Sequence, residues 1–484
     1  MEKNNNSEQI VQELEKEIEV EKNIDNLQEI TPAQCFIDDV SMVTVEFMEV
    51  IEERGIKKYV SVPYLIISNT KSGDRKKVRL SQGNLVELGY YSDRVPNVQN
   101  RWSISRLKLF LSSKEEPADI SKIFDLVKSL YNEFSDFGDD RISSLLACWV
   151  IGTYFHRMFN AYPYIHLNGH LQTGKTKTIT LTTSLAFNGE NNVGSSAPYL
   201  FRSIHDNCST IGIDEAENLS GGEDFQTLIQ VLNCGYKQGG MISKLTSTNN
   251  NIWKPKRFDP YSPKILGGIK RLVATLNSRS IPITMLRSDD EKIRNIEIDL
   301  KDSRFQDIRD QLYILTMTSY LSIKNIYTEL QDTEIKGRDW ELWKPILTIA
   351  KVIGDEVYNN LHTLAIEIIE QKNELIEDDT NHIDFLDSLI YMIDLRGVSN
   401  LGLDNLYTTN DVKKALTDPE NPNYQSFTWL ENTKNHGRWI GDELRKLGVI
   451  NGTSKQKKTA GENKRHYKLD KSIIEKQIQI HKVR

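Results

Sequence analysis

The chain separates first by the period of its apolar residues. Over residues 31–115 apolar and polar positions alternate, as in Tyr59-Val60-Ser61-Val62, Tyr64-Leu65-Ile66-Ile67 and Lys77-Val78-Arg79-Leu80, with turn-forming residues at 71–74 and 82–84. A period of two predicts strands with one buried face, hence a small strand-rich unit. From 118 to 160 the period lengthens, and Ile120, Ile123, Phe124, Val127 and Leu130 fall on one face of a helix. Residues 142–155 are apolar on nearly every side. That run is too short for a hydrocarbon layer of about 30 Å, so it predicts a buried helix. Residues 163–287 alternate short apolar strands with helices, as a parallel α/β sheet does, and residues 302–395 are helical. The chain therefore divides into a tail at 1–30, a strand-rich domain at 31–115, a helical collar at 116–162, an α/β core at 163–300, a helical lid at 301–400 and a C-terminal module at 401–484.

Composition adds limits to this division. With 38% apolar and 8% aromatic residues among 484, a wholly disordered chain is excluded. Cys35, Cys148, Cys208 and Cys234 form no CxxC and no zinc-finger spacing, which argues against a disulfide framework and for a reducing cytoplasm. The first residues are acidic and polar where a signal peptide needs a basic end and an apolar run, and no membrane partner is expected. The formal charge of −7 conceals an asymmetry. Residues 1–30 carry nine acidic and three basic residues and read as a mobile acidic tail, with an ordered helix as the alternative. Residues 401–484 carry sixteen basic and ten acidic residues.

The sharpest local signal is Asn168-Gly-His-Leu-Gln-Thr-Gly-Lys-Thr176, which follows the apolar strand candidate Tyr164-Ile-His-Leu167. Gly169 to Thr176 fit GxxxxGK[ST], the phosphate-binding P-loop. Its glycines let backbone N–H groups close on phosphate oxygens. Gly169, Thr173, Gly174, Lys175, Thr176 and Lys177 are the candidate nucleotide-binding residues. Lys175 supplies charge to the β- and γ-phosphates, and Thr176 ligates Mg²⁺. The helix that follows aims its N-terminal dipole at the same phosphates. Thirty-nine residues after Lys175, the apolar stretch Thr210-Ile-Gly-Ile ends in Asp214 and Glu215. Asp214 is placed to hold Mg²⁺ and Glu215 to polarise the attacking water. ATP and Mg²⁺ are the expected cofactors.

The remaining landmarks are Tyr162-Pro-Tyr-Ile165, Leu200-Phe-Arg202, Leu232-Asn-Cys-Gly-Tyr-Lys237, Ser262-Pro-Lys-Ile-Leu266 and Arg279-Ser-Ile281. With the P-loop and the acidic pair, this ordered set resembles the AAA+ helicases of phages and mobile genetic elements, which are related to minichromosome-maintenance helicases. The resemblance covers residues 120–350. It implies an AAA+ core with a helical lid, working as a homo-hexameric ring that moves along single-stranded or forked DNA. It implies too that Arg279 is an arginine finger, reaching the γ-phosphate on the neighbouring subunit, and that Arg338 is a sensor reporting nucleotide from the lid; a solvated loop arginine and a surface helix-start arginine are the respective alternatives. The polar sensor expected after Leu266 is missing; Lys270 and Asn277 are the substitutes offered. Initiator, primase or single-strand-binding proteins are the partners such a motor needs.

Two segments carry candidate DNA contacts. Between Gly239 and Arg257, two alternating arms around Asn249-Asn-Asn251 predict a hairpin. In related helicases such a hairpin enters the pore. Lys244, Lys254 and Lys256 would then grip phosphates and Trp253 would meet a base; the alternative is an exposed hairpin whose lysines keep its edges unpaired. In the C-terminal module, helices beginning at Thr408 and Arg438, then Val449-Ile450, a polar loop over 451–463 and Arg465-His-Tyr-Lys-Leu469, give the order of a winged helix. Lys455, Lys457, Lys458, Lys464 and Arg465 would place charge on its wing, with protein contact as the alternative role. The expected activity is ATP-driven DNA unwinding in replication. Its rivals are an initiator or helicase loader that uses ATP as an assembly switch, and a DNA-bound regulator that does not turn ATP over.

Overall fold

The computed structural model describes residues 27–53, 56–192, 197–214, 223–247, 253–269, 272, 274–377, 381–399, 406–431, 433, 436–450, 455–459 and 462–482. Glu215, Lys270, most of the acidic tail and the turn of the expected pore hairpin lie outside the described residues. The chain forms two compact units, one running to Ile368 and one from Ile369.

The first unit opens with β1 (Gln28–Glu29), β2 (Gln34–Ile37), β3 (Val40–Glu53), β4 (Ile56–Asn69), β5 (Arg75–Arg79), helix α1 (Gln82–Glu87), β6 (Tyr90–Tyr91) and helix α2 (Ile104–Leu111). β2 to β5 form an antiparallel sheet in sequence order. Both faces of its middle are covered: Met42 opposite Ile67 and Thr44 opposite Leu65 are buried on one face, and Val43 opposite Ile66 on the other, so the single buried face expected from the period of two is corrected. β3 and β4 continue beyond β2 and β5 as a two-stranded ribbon, where Met48 is 66% and Tyr59 76% exposed. Two further expectations are corrected here. Residues 82–84 begin a helix rather than a turn, because Ser81 Oγ accepts from Asn84 N and caps it. The end of the expected tail is ordered: Gln28–Glu29 pair in parallel with Tyr90–Tyr91, and Ile30 is buried.

The helical pair α3 (Ile120–Phe134) and α4 (Asp140–Thr153) follows, and every residue from Ile142 to Thr153 is buried. The α/β core then runs β7 (Tyr164–Asn168), α5 (Lys175–Leu185), β8 (Glu190–Asn192), α6 (Ala197–Asn207), β9 (Ile211–Ile213), α7 (Glu223–Cys234), β10 (Ile242–Ser247), β11 (Trp253–Phe258), β12 (Lys264–Gly268), α8 (Ala274–Asn277), β13 (Ser280–Thr284) and α9 (Glu291–Asn295). Five of these strands form a parallel sheet in the order β13-β7-β12-β9-β8. The P-loop strand β7 is therefore an interior strand between β13 and the central β12, and the acidic strand β9 is separated from it by β12.

Three long helices follow: α10 (Ser303–Glu329) and α11 (Gly337–Ile353) in the first unit, and α12 (Asp355–Glu377), within which the first unit ends. They do not stand apart from the collar. Arg304 pairs with Glu133 at 2.6 Å, Arg141 with Glu367 at 2.7 Å, and Ser121 Oγ donates to Ile353 O. Helical periodicity marks which face is apolar and leaves open what covers it, so a boundary between collar and lid was not visible in the sequence.

The second unit is built from α13 (Asn381–Ser399), β14 (Leu406–Thr408), α14 (Thr409–Leu416), α15 (His436–Lys446), β15 (Lys455–Thr459), β16 (Glu462–Lys468) and α16 (Lys471–Lys482). Its core joins Phe385, Leu386 and Leu389 of α13 to Val412, Leu416, Ile440, Leu444 and Tyr467. The boundary expected at 401 thus falls too late, because α13 belongs to this core. Thr408 and Asp411 form a capping box at the start of α14, and Gly448 at φ +66° ends the helical stretch after α15. Val449–Ile450 form no strand; β15 begins at Lys455 and pairs with β16, which pairs with β14. Among the described residues no helix is long and apolar enough to cross a membrane.

Candidate active site

β7 delivers the P-loop to the carboxyl ends of the parallel strands, and α5 begins at Lys175. The loop's glycines are required by space and by conformation. A Cβ on Gly169 would lie 2.4 Å from Met285 O, and Gly174 has φ +88°. Lys175 Nζ donates to Gly169 O at 2.7 Å and His170 O at 2.6 Å, so the ammonium is held over the loop where phosphate oxygens would replace these carbonyls. The Thr176 hydroxyl donates to the Asp214 carboxylate, bringing together the two residues expected to share a metal. A hydroxyl and one carboxylate, completed by phosphate oxygens and water, suit Mg²⁺, which favours few protein ligands and all-oxygen coordination. No cluster of three or more His, Cys, Asp or Glu able to hold a metal occurs among the described residues.

These groups line a cavity of about 960 Å³, whose far walls are Phe134 to Asp136 on one side and Met285 to Asn295 on the other. Lys177 lines it as well, but its ammonium donates to Ile293 O at 2.7 Å and ties α5 to α9, while burial lowers its pKa. Thr173 donates to His170 O and shapes the loop. Arg287 and Arg294 also line the cavity and were missed in the sequence. Arg294 Nη1 donates to Ser288 O and Asp289 O, and Ser288 Oγ donates to Asp136, which fixes this wall. Their signal was positional: the stretch after β13 leaves a parallel sheet at its carboxyl end, where ligands collect.

β12 explains the missing sensor. A Cβ on Gly267 would lie 2.8 Å from Ile179 and 2.9 Å from Asp214 Oδ1, so this position leaves space for Asp214. Asn277, offered as a substitute, ends α8 before the start of β13, at the opposite end of the sheet.

That opposite end holds the two arginines. Arg279 precedes β13, whose first residue pairs with Tyr164, and Arg279 O accepts from Tyr164 N. A five-residue strand separates it from the P-loop, roughly 15 Å at about 3.3 Å per residue. Arg279 Nε donates to Asn233 O at 3.0 Å, Nη1 donates to Thr275 O, and the guanidinium lies 5.1 Å from the Tyr236 ring centre. Arg338 joins it rather than the cavity: Nη1 donates to Ser278 Oγ at 3.0 Å, and its guanidinium lies 5.8 Å from the same ring. Arg338, expected to report nucleotide from the lid, thus lies beside Arg279 and does not line the cavity of its own chain. The path of α11 sets this placement, and no local pattern encodes that path.

β10 and β11 form an antiparallel hairpin rooted in the core by Ile242 and Phe258. Lys244 lies opposite Lys256, Thr246 opposite Lys254 and Ser247 opposite Trp253. The Lys256 ammonium is 3.8 Å from the Asp93 carboxylate. In the second unit Lys457 lies opposite Lys464 and Gln456 opposite Arg465, while Lys455 and Lys458 share β15. Lys455, Lys457 and Lys458, expected on a polar loop, therefore lie in a strand paired with the one that carries Lys464 and Arg465.

No family model matches this chain, and no curated protein sequence is similar to it. Among solved structures, the SCCmec type IV Cch, described as an active helicase, is 15% identical over 91% of this chain and 96% of its own, with a TM-score of 0.34. The C-terminal region of NrS-1 is 12% identical over 87% of this chain and 97% of its own, with a TM-score of 0.33. A full-length MCM homolog from Methanopyrus kandleri is 9% identical over 68% of this chain and 76% of its own, with a TM-score of 0.31.

Proposed function

We propose that this chain is an ATP-dependent DNA helicase that works as a homo-hexameric AAA+ ring in the replication of a phage or mobile element. The observation that carries this reading is the division of catalytic groups between the two ends of one sheet. Lys175, Thr176 and Asp214 gather at the carboxyl ends of the strands, and Arg279 with Arg338 at the amino ends. An arginine at the amino ends cannot serve the P-loop of its own chain. It can serve that of a neighbour, where a guanidinium stabilises the charge that develops during phosphoryl transfer. Lys175 then holds the β- and γ-phosphates, Thr176 and Asp214 hold Mg²⁺, and Glu215 orients the attacking water. Bound Mg²⁺ would neutralise phosphate charge. Lys244, Lys254 and Lys256 grip one strand's phosphates beside Trp253, and the C-terminal unit acts as a winged helix whose basic hairpin meets phosphates.

Strand displacement on a forked duplex tests the activity. If the chain hydrolyses ATP but unwinds nothing in either polarity, the helicase reading fails and an ATP-switched initiator replaces it. Mixing Arg279→Ala chains with Lys175→Ala chains tests the shared site. Each is expected to be inactive alone, and the mixture to recover part of the hydrolysis. A mixture that assembles and stays inactive excludes the shared site.

A further inference from the structure

A lysine is buried beneath the arginine pair, where no substrate reaches it. Lys264 opens β12 at 1% exposure. Its ammonium donates to Pro260 O at 3.0 Å, Ser262 O at 3.0 Å, Ser262 Oγ at 3.1 Å and Gly235 O at 3.3 Å. It also lies 4.9 Å from the Tyr164 ring centre. A buried ammonium is costly unless its protons are all accepted, so four acceptors closing on one nitrogen form a built strut. The strut supports the turn after α7. Gly235 has no space for a side chain, since a Cβ there would lie 2.7 Å from Lys264 Nζ and 2.3 Å from Pro260 O. Tyr164 OH donates to Leu232 O, and Tyr162 N donates to Tyr236 O, fixing the two ends of the same turn. The outer surface of that turn carries the arginines: Asn233 O receives Arg279 Nε, and the Tyr236 ring lies against both guanidinium groups.

We propose that Lys264, in its ammonium form, is a positioning residue for the Arg279–Arg338 pair and makes hydrolysis in the neighbouring subunit depend on pH. The inference rests on the shared-site reading above and adds a regulator to that site. Burial lowers the Lys264 pKa to about 7, against which the nearby Asp259 carboxylate acts to raise it. The other groups packed around it hold their charge state near neutrality. His156 is kept neutral by burial, with a pKa of about 3, and the Tyr164 and Tyr261 phenols are pushed well above their usual range. Asp259 is paired with Arg94 at 3.2 Å and Arg157 at 2.8 Å, and its pKa is lowered. Loss of the Lys264 proton leaves a neutral amine with two N–H donors among four acceptors, so the longest contact, Gly235 O at 3.3 Å, is released and the turn under Tyr236 relaxes. The fold itself is not weakened by that loss. A lysine whose folded pKa lies below its unfolded value contributes stability that rises with pH between the two. A fall in hydrolysis over the same range is therefore separable from unfolding.

The test uses the full chain carrying Lys264→Met. Hydrolysis is expected to drop about 100-fold, the scale of a misplaced catalytic group, while binding of a fluorescent ATP analogue, a readout of the P-loop, stays at the wild-type value. Mixed with Lys175→Ala chains, Lys264→Met chains should recover hydrolysis; mixed with Arg279→Ala chains they should not. Wild-type hydrolysis at saturating ATP should fall as pH rises through about 7, with analogue binding unchanged. Full activity in Lys264→Met, recovery with Arg279→Ala, or no recovery with Lys175→Ala would each overturn the assignment. If Lys264→Met does not fold, the wild-type pH profile decides alone, and a flat profile or a parallel loss of analogue binding overturns it. Failure of the Arg279→Ala and Lys175→Ala mixture to recover refutes the shared site itself, whatever Lys264→Met does.

Discussion

His156 is completely buried, with Nδ1 bonded to Thr153 O at 2.8 Å and Nε2 without a partner among the described residues. Burial, reinforced by Arg157, lowers its pKa to about 3; burial and Arg94 lower that of His205 to about 4. Both folded values lie below the unfolded value, so from about pH 6.5 downwards the unfolded chain binds the extra protons. Stability therefore falls as pH falls, by up to about 1.4 kcal/mol per pH unit for each histidine. Chemical denaturation between pH 7 and 4 should show this slope, and His156→Gln, which keeps a donor for Thr153 O, should show a shallower one. An unchanged slope in that variant would assign the acid sensitivity elsewhere. At this scale the sequence was most legible where a motif is contiguous. Lys175 and Thr176 are adjacent, and Asp214 follows an apolar strand, so their meeting follows from chain geometry. The surroundings of Arg338 were not legible, because its contacts, Ser278 and Tyr236, come from elements far away in the chain.

Elements were legible in kind and less so in extent. The alternation near Tyr59 and Tyr64 marked strands but not their length of fourteen residues, because the ribbon leaves apolar side chains such as Met48 and Tyr59 exposed and so has no buried face to mark its extent. The helical period of α13 was legible and its core was not; Phe385 and Leu389 pack with Ile440 and Leu444, which lie some fifty residues onward. The hairpin of β10 and β11 was fully legible as a hairpin, since both its arms alternate. Its roots, Ile242 and Phe258, are buried, which holds the arms in a fixed direction. Reversing charge at Lys254 and Lys256 together should weaken single-strand binding and flatten its salt dependence by about two phosphate contacts, while leaving DNA-free ATP hydrolysis intact. Unchanged affinity and salt slope would leave the hairpin as an edge-protected loop.

At the scale of the molecule, the proposed shared site makes a chain inactive alone, because its P-loop and its arginines lie at opposite ends of the sheet. Hydrolysis per chain should therefore rise with protein concentration and then level off, with circular dichroism constant across the range. Activity that is independent of dilution, down to concentrations where only monomers sediment, would contradict the shared site. The same arrangement gives the molecule a direction. Two copies related by a two-fold axis present like ends to each other, so a symmetric dimer built through these ends completes no site. Only head-to-tail contact does so, and each such contact leaves a fresh head and a fresh tail. A series of that kind either returns to its first member or grows without limit, according to the rotation between neighbours. On the shared-site reading, the angle between neighbours therefore decides between a closed ring and a filament.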